Sequence, residues 1–172
     1  MRSTGKNDRV AEEIRAKLLI SACLVGEKCR YDGNDNRLSY LLSLEERFNL
    51  FPICPEKEGA LSTPRLVAEL QSPAHLILKN LGKVRRIDGF DLTEAFLKGA
   101  ETALRLCQKE KIYMALLKER SPSCGVKQIY DGTFSGRIIS GEGLTTAMLR
   151  QEGIQCHSSD DTEILRHGDK NA

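Results

Sequence analysis

The stretch Ile112-Tyr113-Met114-Ala115-Leu116-Leu117-Lys118-Glu119-Arg120-Ser121-Pro122-Ser123-Cys124-Gly125 decides how this chain is read. Residues 112–117 are a short apolar run, the pattern of a parallel strand covered on both faces. The run breaks into a Ser/Pro/Gly turn that presents one cysteine. The pattern recurs twice. Leu18-Leu19-Ile20 leads through Ser21-Ala22 into Cys23, and Leu50-Phe51-Pro52-Ile53 leads into Cys54. Three predicted strands thus each end in a thiol. In a parallel sheet their C-terminal ends share one edge, which is where open α/β sheets place their sites.

Helical periodicity separates these runs. The clearest helix spans 92–110, where Ala95, Phe96, Gly99, Ala100, Ala103, Leu104 and Cys107 recur at three- and four-residue steps. Asp91 and Glu94 have capping-box spacing before it, and Cys107 falls on its apolar stripe. Further helices are expected over 9–16, 38–47, 145–152 and 160–166. Thr63 before Pro64 makes an N-cap and N1 pair for a helix over 64–70. That helix would start near Cys54, and a helix N-terminus favours thiolates. Strands are expected over 17–22, 49–53, 112–117 and 154–156. Hairpins are expected to pair 76–78 with 84–87, and to turn tightly at Asp131-Gly132. Cys156 reads as structural. Residues 1–16 form an N-terminal extension, unstructured at its polar start, and 17–172 a single domain. Alternating strands and helices give an α/β fold of three layers with a mainly parallel sheet.

The chain has 172 residues, enough to bury one core. Its 40% hydrophobic and 29% charged residues are those of a globular protein in water. A net charge of +2 with 5% aromatics gives no basic stacking surface for nucleic acid and no attraction to an anionic membrane. No run approaches the ~18 apolar residues of a transmembrane helix. The polar N-terminus lacks the apolar core of a signal peptide, which implies the cytoplasm, where thiols stay reduced. Six cysteines then favour metal binding or catalysis over a disulfide framework. The ordinary alternative for any one of them is a small buried hydrophobe.

No Cys-x-x-Cys occurs, and Cys23 and Cys29 are separated by five residues. That removes both the zinc knuckle and the thioredoxin-like motif. His75, His157 and His167 lie away from the cysteine loops in sequence, so a Cys–His pair is poorly supported. No Gly-x-Ser-x-Gly elbow is present. What remains is a thiolate-rich site, which selects zinc, copper(I) or an iron–sulfur cluster. Four thiolates from Cys23, Cys29, Cys54 and Cys124 could close a zinc site. Three thiolates on a four-iron cluster would instead leave one iron free to take a substrate sulfur or oxygen.

Several fragments together resemble one bacterial family, that of 2-thiouracil desulfurase. They are Ser21-Ala22-Cys23-Leu24-Val25-Gly26, Cys29-Arg30-Tyr31-Asp32-Gly33, Cys54-Pro55-Glu56, Thr63-Pro64-Arg65 and Ser121-Pro122-Ser123-Cys124-Gly125. The segments 91–96 and 129–136 also fit, and the resemblance covers roughly residues 17 to 157. It implies a Rossmann-like domain with a [4Fe–4S] cluster on Cys23, Cys54 and Cys124. It implies non-redox replacement of a thiocarbonyl sulfur by water, on a thiolated pyrimidine or similar small molecule. By motif position Glu56 is the acid/base carboxylate and Ser121 contacts substrate. Cys29 to Asp32 are assigned to loop structure or the outer shell, and Arg65 to a carboxylate partner or substrate contact. A zinc- or cluster-bearing binding module without turnover is the alternative reading. Lys57-Glu58 departs from the family, which has a small apolar residue and paired glycines there. Two charges beside the proposed base would imply a different substrate.

Overall fold

The computed structural model describes residues 15–167; the extension expected over 1–16, with its helix over 9–16, lies almost wholly outside the described residues. In chain order the strands are β1 (Ala16–Ser21), β2 (Phe48–Ile53), β3 (Ala68–Leu70), β4 (Val84–Arg86), β5 (Met114–Leu117), β6 (Gln128–Tyr130), β7 (Ile138–Ser140) and β8 (Gln155–Ser158). The helices are α1 (Leu41–Arg47), α2 (Pro55–Glu58), α3 (Ala74–Ile77), α4 (Thr93–Glu110), α5 (Leu144–Gln151) and α6 (Ile164–His167). A 3-10 turn, Ala22–Val25, follows β1 directly.

The apolar runs pair as a parallel sheet in the order β2-β1-β5-β8. Side-chain alternation along the strands sorts their residues between two faces. Leu19, Ala115 and Leu117 pack with Ala103 and Cys107 of α4 and Leu149 of α5. Leu18, Ile20 and Leu116 pack with Leu44 of α1 and Ile164 of α6. Helices therefore cover both faces, which is the expected three-layer α/β architecture. Each fully buried leucine contributes about 1.5–3 kcal/mol of transfer free energy. A third cluster, Leu70, Ile77, Val84, Phe96 and Ile129 among it, lies beneath the two small antiparallel sheets β3-β4 and β6-β7.

Three expectations are corrected. Residues 64–70 do not form a helix. Arg65 N–H donates to Tyr31 O at 2.8 Å, and Ala68–Leu70 pair antiparallel with Val84–Arg86. Tertiary pairing thus overrides the local Thr-Pro cap signal. The helix that begins beside Cys54 is α2, whose N-cap is Cys54 itself with Pro55 in its first turn. Residues 76–78 are not a strand, because Ala74–Ile77 form α3 and the partner of β4 is β3. The turn at Asp131-Gly132 is not tight: Tyr130 pairs with Ile138, leaving 131–137 as a loop. Its Gly132 and Phe134 N–H groups donate to Oε2 of Glu69 at 2.8 and 3.0 Å, so a distant carboxylate shapes it. Ahead of α4, Asp91 Oδ1 accepts from Thr93 N–H and Oγ1 at 2.9 and 2.6 Å.

Candidate active site

Parallel pairing places Ser21 opposite Ile53 and ends β5 beside them, so all three thiol-bearing loops leave the same sheet edge. Cys23 lies in the 3-10 turn after β1, and its carbonyl accepts from Gly26 and Asn36 N–H at 3.2 and 2.9 Å. Cys54 sits between β2 and α2. Cys124 lies in the loop between β5 and β6, which is built around Glu119. That buried carboxylate receives N–H bonds from Val126, Lys127 and Gln128 on Oε1, each at 2.9 Å, and the Ser158 hydroxyl on Oε2. The start of α5 closes the loop from the other side. Leu144 and Thr145 N–H donate to Pro122 and Ser123 carbonyls at 2.9 Å, and Thr146 Oγ1 donates to Cys124 O at 3.0 Å. The free N–H groups of a helix start are thereby satisfied by the cysteine loop.

These elements enclose a cavity of about 410 Å³. Its lining includes Cys23, Cys54, Cys124, Glu56 and Ser121, the five residues named from the sequence, and also Cys29. Arg30, Lys118, Arg120, Tyr130 and Phe134 contribute to its walls. Cys107 is buried in the core, Cys156 packs against it, and the three histidines do not reach the cavity.

Cys29 packs in one cluster with Cys23 and Cys54, and the Cys54 thiol lies 3.9 Å from Cys29 O. Hydrogen bonding from Cys29 lowers Cys23 to about 7 against its burial, with Asn36 assisting. The same contact lowers Cys54 to about 7 against burial, with the Lys57 N–H assisting. Cys29 is pushed up by the same two neighbours and by burial. Burial also pushes the Cys124 thiol up, partly offset by a hydrogen bond from Ser21. Among the described residues, no group of three or more His, Cys, Asp or Glu side chains closes on a single ion.

Glu56 is held at both oxygens. Arg65 places Nε at 2.7 Å and Nη2 at 2.6 Å from Oε2, and the Ser123 hydroxyl donates to Oε1 at 2.9 Å. Arg65 Nη2 also donates to Cys29 O at 3.1 Å, which ties the carboxylate to the Cys29 loop. Arg65 is therefore a carboxylate partner. Ser121 Oγ accepts from the N–H groups of Ser123 and Cys124 at 3.2 and 3.1 Å. With both lone pairs engaged, it approaches the cavity as a donor. Lys57 and Glu58 are exposed and absent from the cavity wall. Lys57 Nζ lies 3.9 Å from Glu27 Oε2, so the two charged side chains of this departure stay outside the cavity wall. Sequence reasoning missed the roles of Ser123 and Glu119. The signal for Glu119 was a lone carboxylate two residues past a buried strand; nothing local marked Ser123.

A family model described as 2-thiouracil desulfurase matches residues 18–161. An uncharacterized protein, YbbK of Bacillus subtilis (strain 168), is 37% identical over 145 residues, spanning 84% of this chain and 96% of that protein. Among solved structures, the [4Fe-4S]-dependent thiouracil desulfidase TudS is 42% identical with a TM-score of 0.79, covering 89% of this chain and 97% of that one. Sequence, fold and coverage agree, and the chain belongs to the 2-thiouracil desulfurase family.

Proposed function

We propose that this protein removes sulfur hydrolytically from thiolated pyrimidines such as 2-thiouracil, with a [4Fe–4S] cluster held by Cys23, Cys54 and Cys124. The observation that carries this reading is the convergence of three strand-end thiols, one carboxylate and one hydroxyl on a single cavity. The donor set fits the group. It is all thiol, and two members are lowered to about 7 and so poised to bind as thiolates. When bound, the cluster supplies an iron without a protein ligand, a Lewis acid suited to soft thiocarbonyl sulfur.

The chain's own groups do the rest. Ser121 O–H donates to the ring edge of the substrate and orients it. Glu56 Oε2 is occupied by the Arg65 fork, so Oε1, with one donor from Ser123, keeps a lone pair for the proton of the attacking water. The same carboxyl returns that proton to the departing sulfur. The balance is C=S + H₂O → C=O + H₂S, with no electrons exchanged. The free thiols suit a reducing compartment such as the cytoplasm. No helix among the described residues is long and apolar enough to cross a membrane.

Protein purified without oxygen should be brown, carry about four irons and four sulfides per chain, and release sulfide from 2-thiouracil. Glu56→Gln should keep the cluster and lose about 10²–10⁴-fold in kcat, the usual worth of a general base. Ser121→Ala should lose turnover with its cluster retained. Colourless protein with stoichiometric zinc, or cluster-bearing protein that releases no sulfide from any thiocarbonyl, would overturn the reading.

A further inference from the structure

We propose that Glu69 is a specificity-determining residue of this site: its unshared Oε1 accepts a hydrogen bond from a ring N–H of the thiolated pyrimidine. The inference rests on the desulfurase reading above and assigns the part of the substrate that one wall of the cavity reads.

Glu69 is the middle residue of β3. Strand alternation turns Ala68 and Leu70 into the third core cluster and leaves Glu69 on the other side, in the cavity wall. It is 7% exposed, and a carboxylate so buried is costly unless its oxygens are engaged. Only one of them is. Oε2 takes the Gly132 and Phe134 N–H groups and so holds the 131–137 loop, whereas Oε1 takes no donor among the described residues. Arg85, the register partner of Glu69, gives a guanidinium N–H to Gly89 O at 2.9 Å. In the cavity wall, Lys118 donates to Glu119 O and Arg65 to Glu56. The other two carboxylates of that wall, Glu56 and Glu119, have a donor on each oxygen. Nor is Oε1 sealed. Among the described residues, the buried side-chain N and O atoms without a partner are Thr145 Oγ1 and His157 Nε2. Oε1 thus keeps open space before it, and the space that Glu69 borders is the cavity. A carboxylate can only accept, so what it takes is an N–H or O–H. Ser121 offers the opposite sense, a donor. A thiolated pyrimidine carries both complements, with ring N–H groups beside its carbonyl and thiocarbonyl. Phe134, whose N–H the same carboxylate holds, and Tyr130 add aromatic walls suited to a flat ring.

The test measures sulfide release by cluster-loaded wild type and Glu69→Gln from 2-thiouracil and from its 1-methyl and 3-methyl derivatives. In the variant the Gly132 and Phe134 N–H groups still require an acceptor, so the amide oxygen stays on them and the NH₂ group faces the cavity. Iron content and melting temperature should therefore match wild type. On 2-thiouracil kcat/KM should fall roughly 10- to 100-fold, the worth of a hydrogen bond to a charged group. One of the two methyl derivatives should be poorer for wild type by a similar factor, because a methyl group replaces the N–H. On that derivative the variant should lose little more, since the contact is already gone. Equal losses by the variant on all three substrates would make Glu69 only the holder of its loop and overturn the proposal. Wild-type rates indifferent to both methyl groups would overturn it too, and that comparison needs no variant. Cluster-loaded wild type that releases no sulfide from any thiocarbonyl would instead overturn the proposed function, so the two failures are separable.

Discussion

A carboxylate at 2% exposure costs several kcal/mol unless its oxygens are fully engaged. Glu119 meets that condition with three backbone N–H groups on one oxygen and a serine hydroxyl on the other. Burial acts to raise its carboxyl pKa, but the Ser158 hydroxyl and the Gln128, Lys127 and Val126 N–H groups outweigh it and hold the pKa below the usual range. A depressed folded pKa means stability that is present above the unfolded value, ~4.3, and lost as pH falls through the folded one. Glu119→Ala should therefore cost ~3 kcal/mol near neutral pH, since it strands several buried donors. Urea melts should also show a shallower acid-side loss of stability than in wild type. Under the proposed function, Arg65 acts on the reaction through its hold on Glu56. Arg65→Lys keeps the charge but loses the fork on Glu56, and displacing the base proposed there costs rate steeply. Sulfide release should fall roughly 10- to 100-fold with cluster content and melting temperature little changed; a wild-type rate would make the clamp incidental. The family resemblance pointed to Glu56 and Ser121, and both line the cavity. The hold of Ser123 on Glu56 could not be read there, because the two meet across 67 residues of sequence.

Elements place these residues by close backbone approach. A Cβ at Gly99, in the middle of α4, would lie 1.9 Å from the Pro55 carbonyl oxygen, and one at Gly59 would lie 2.1 Å from Ala95 O. The short helix α2 thus presses onto α4 with no room for a methyl group at either contact. Pro55 stands between Cys54 and Glu56, so this crossing fixes both a thiol and the carboxylate. Alanine is favoured over glycine in helices by about 1 kcal/mol, but here the clash wins. Gly99→Ala should destabilise by ~1–3 kcal/mol, as overpacking does, and should lower sulfide release with it. A thermal melt showing a more stable, fully active variant would contradict the contact. The sequence reveals α4 itself, because a long apolar stripe at helical spacing has one reading. It reveals the buried strands for a similar reason: a short apolar run ending in a turn leaves few alternatives. It misleads at 64–70 and at 76–78, where the deciding partners, Tyr31 and β4 for the first and β3 for the second, lie outside the segment. Local caps and propensities carry about 1 kcal/mol each, too little to resist long-range pairing.

On the scale of the whole molecule, the order β2-β1-β5-β8 is what brings three distant loops to one edge. Apolar runs specify burial on both faces but not which neighbour each strand takes, so the convergence became certain only with the fold. Most of the apolar packing that holds the chain together nevertheless comes from residues outside the cavity. Leucine and isoleucine side chains on the two sheet faces, and the third cluster beneath the small sheets, form most of the core; Cys124 joins the cluster on one face, and Cys23 and Cys29 the cluster on the other. Small metal domains unfold when stripped because the metal replaces a core. A chain of this length buries about 70% of its unfolded surface without one. Removing iron from the holoprotein with a chelator should therefore leave the far-UV circular dichroism essentially unchanged. The melting temperature should still fall by several degrees, since a group bound only by the native state stabilises it by mass action. Hydrogen exchange should accelerate in the loops after β1 and β5, and not in α4 or the central strands. Collapse of the helical signal on chelation would show instead that the cluster is part of the core, and that the three layers do not stand by themselves.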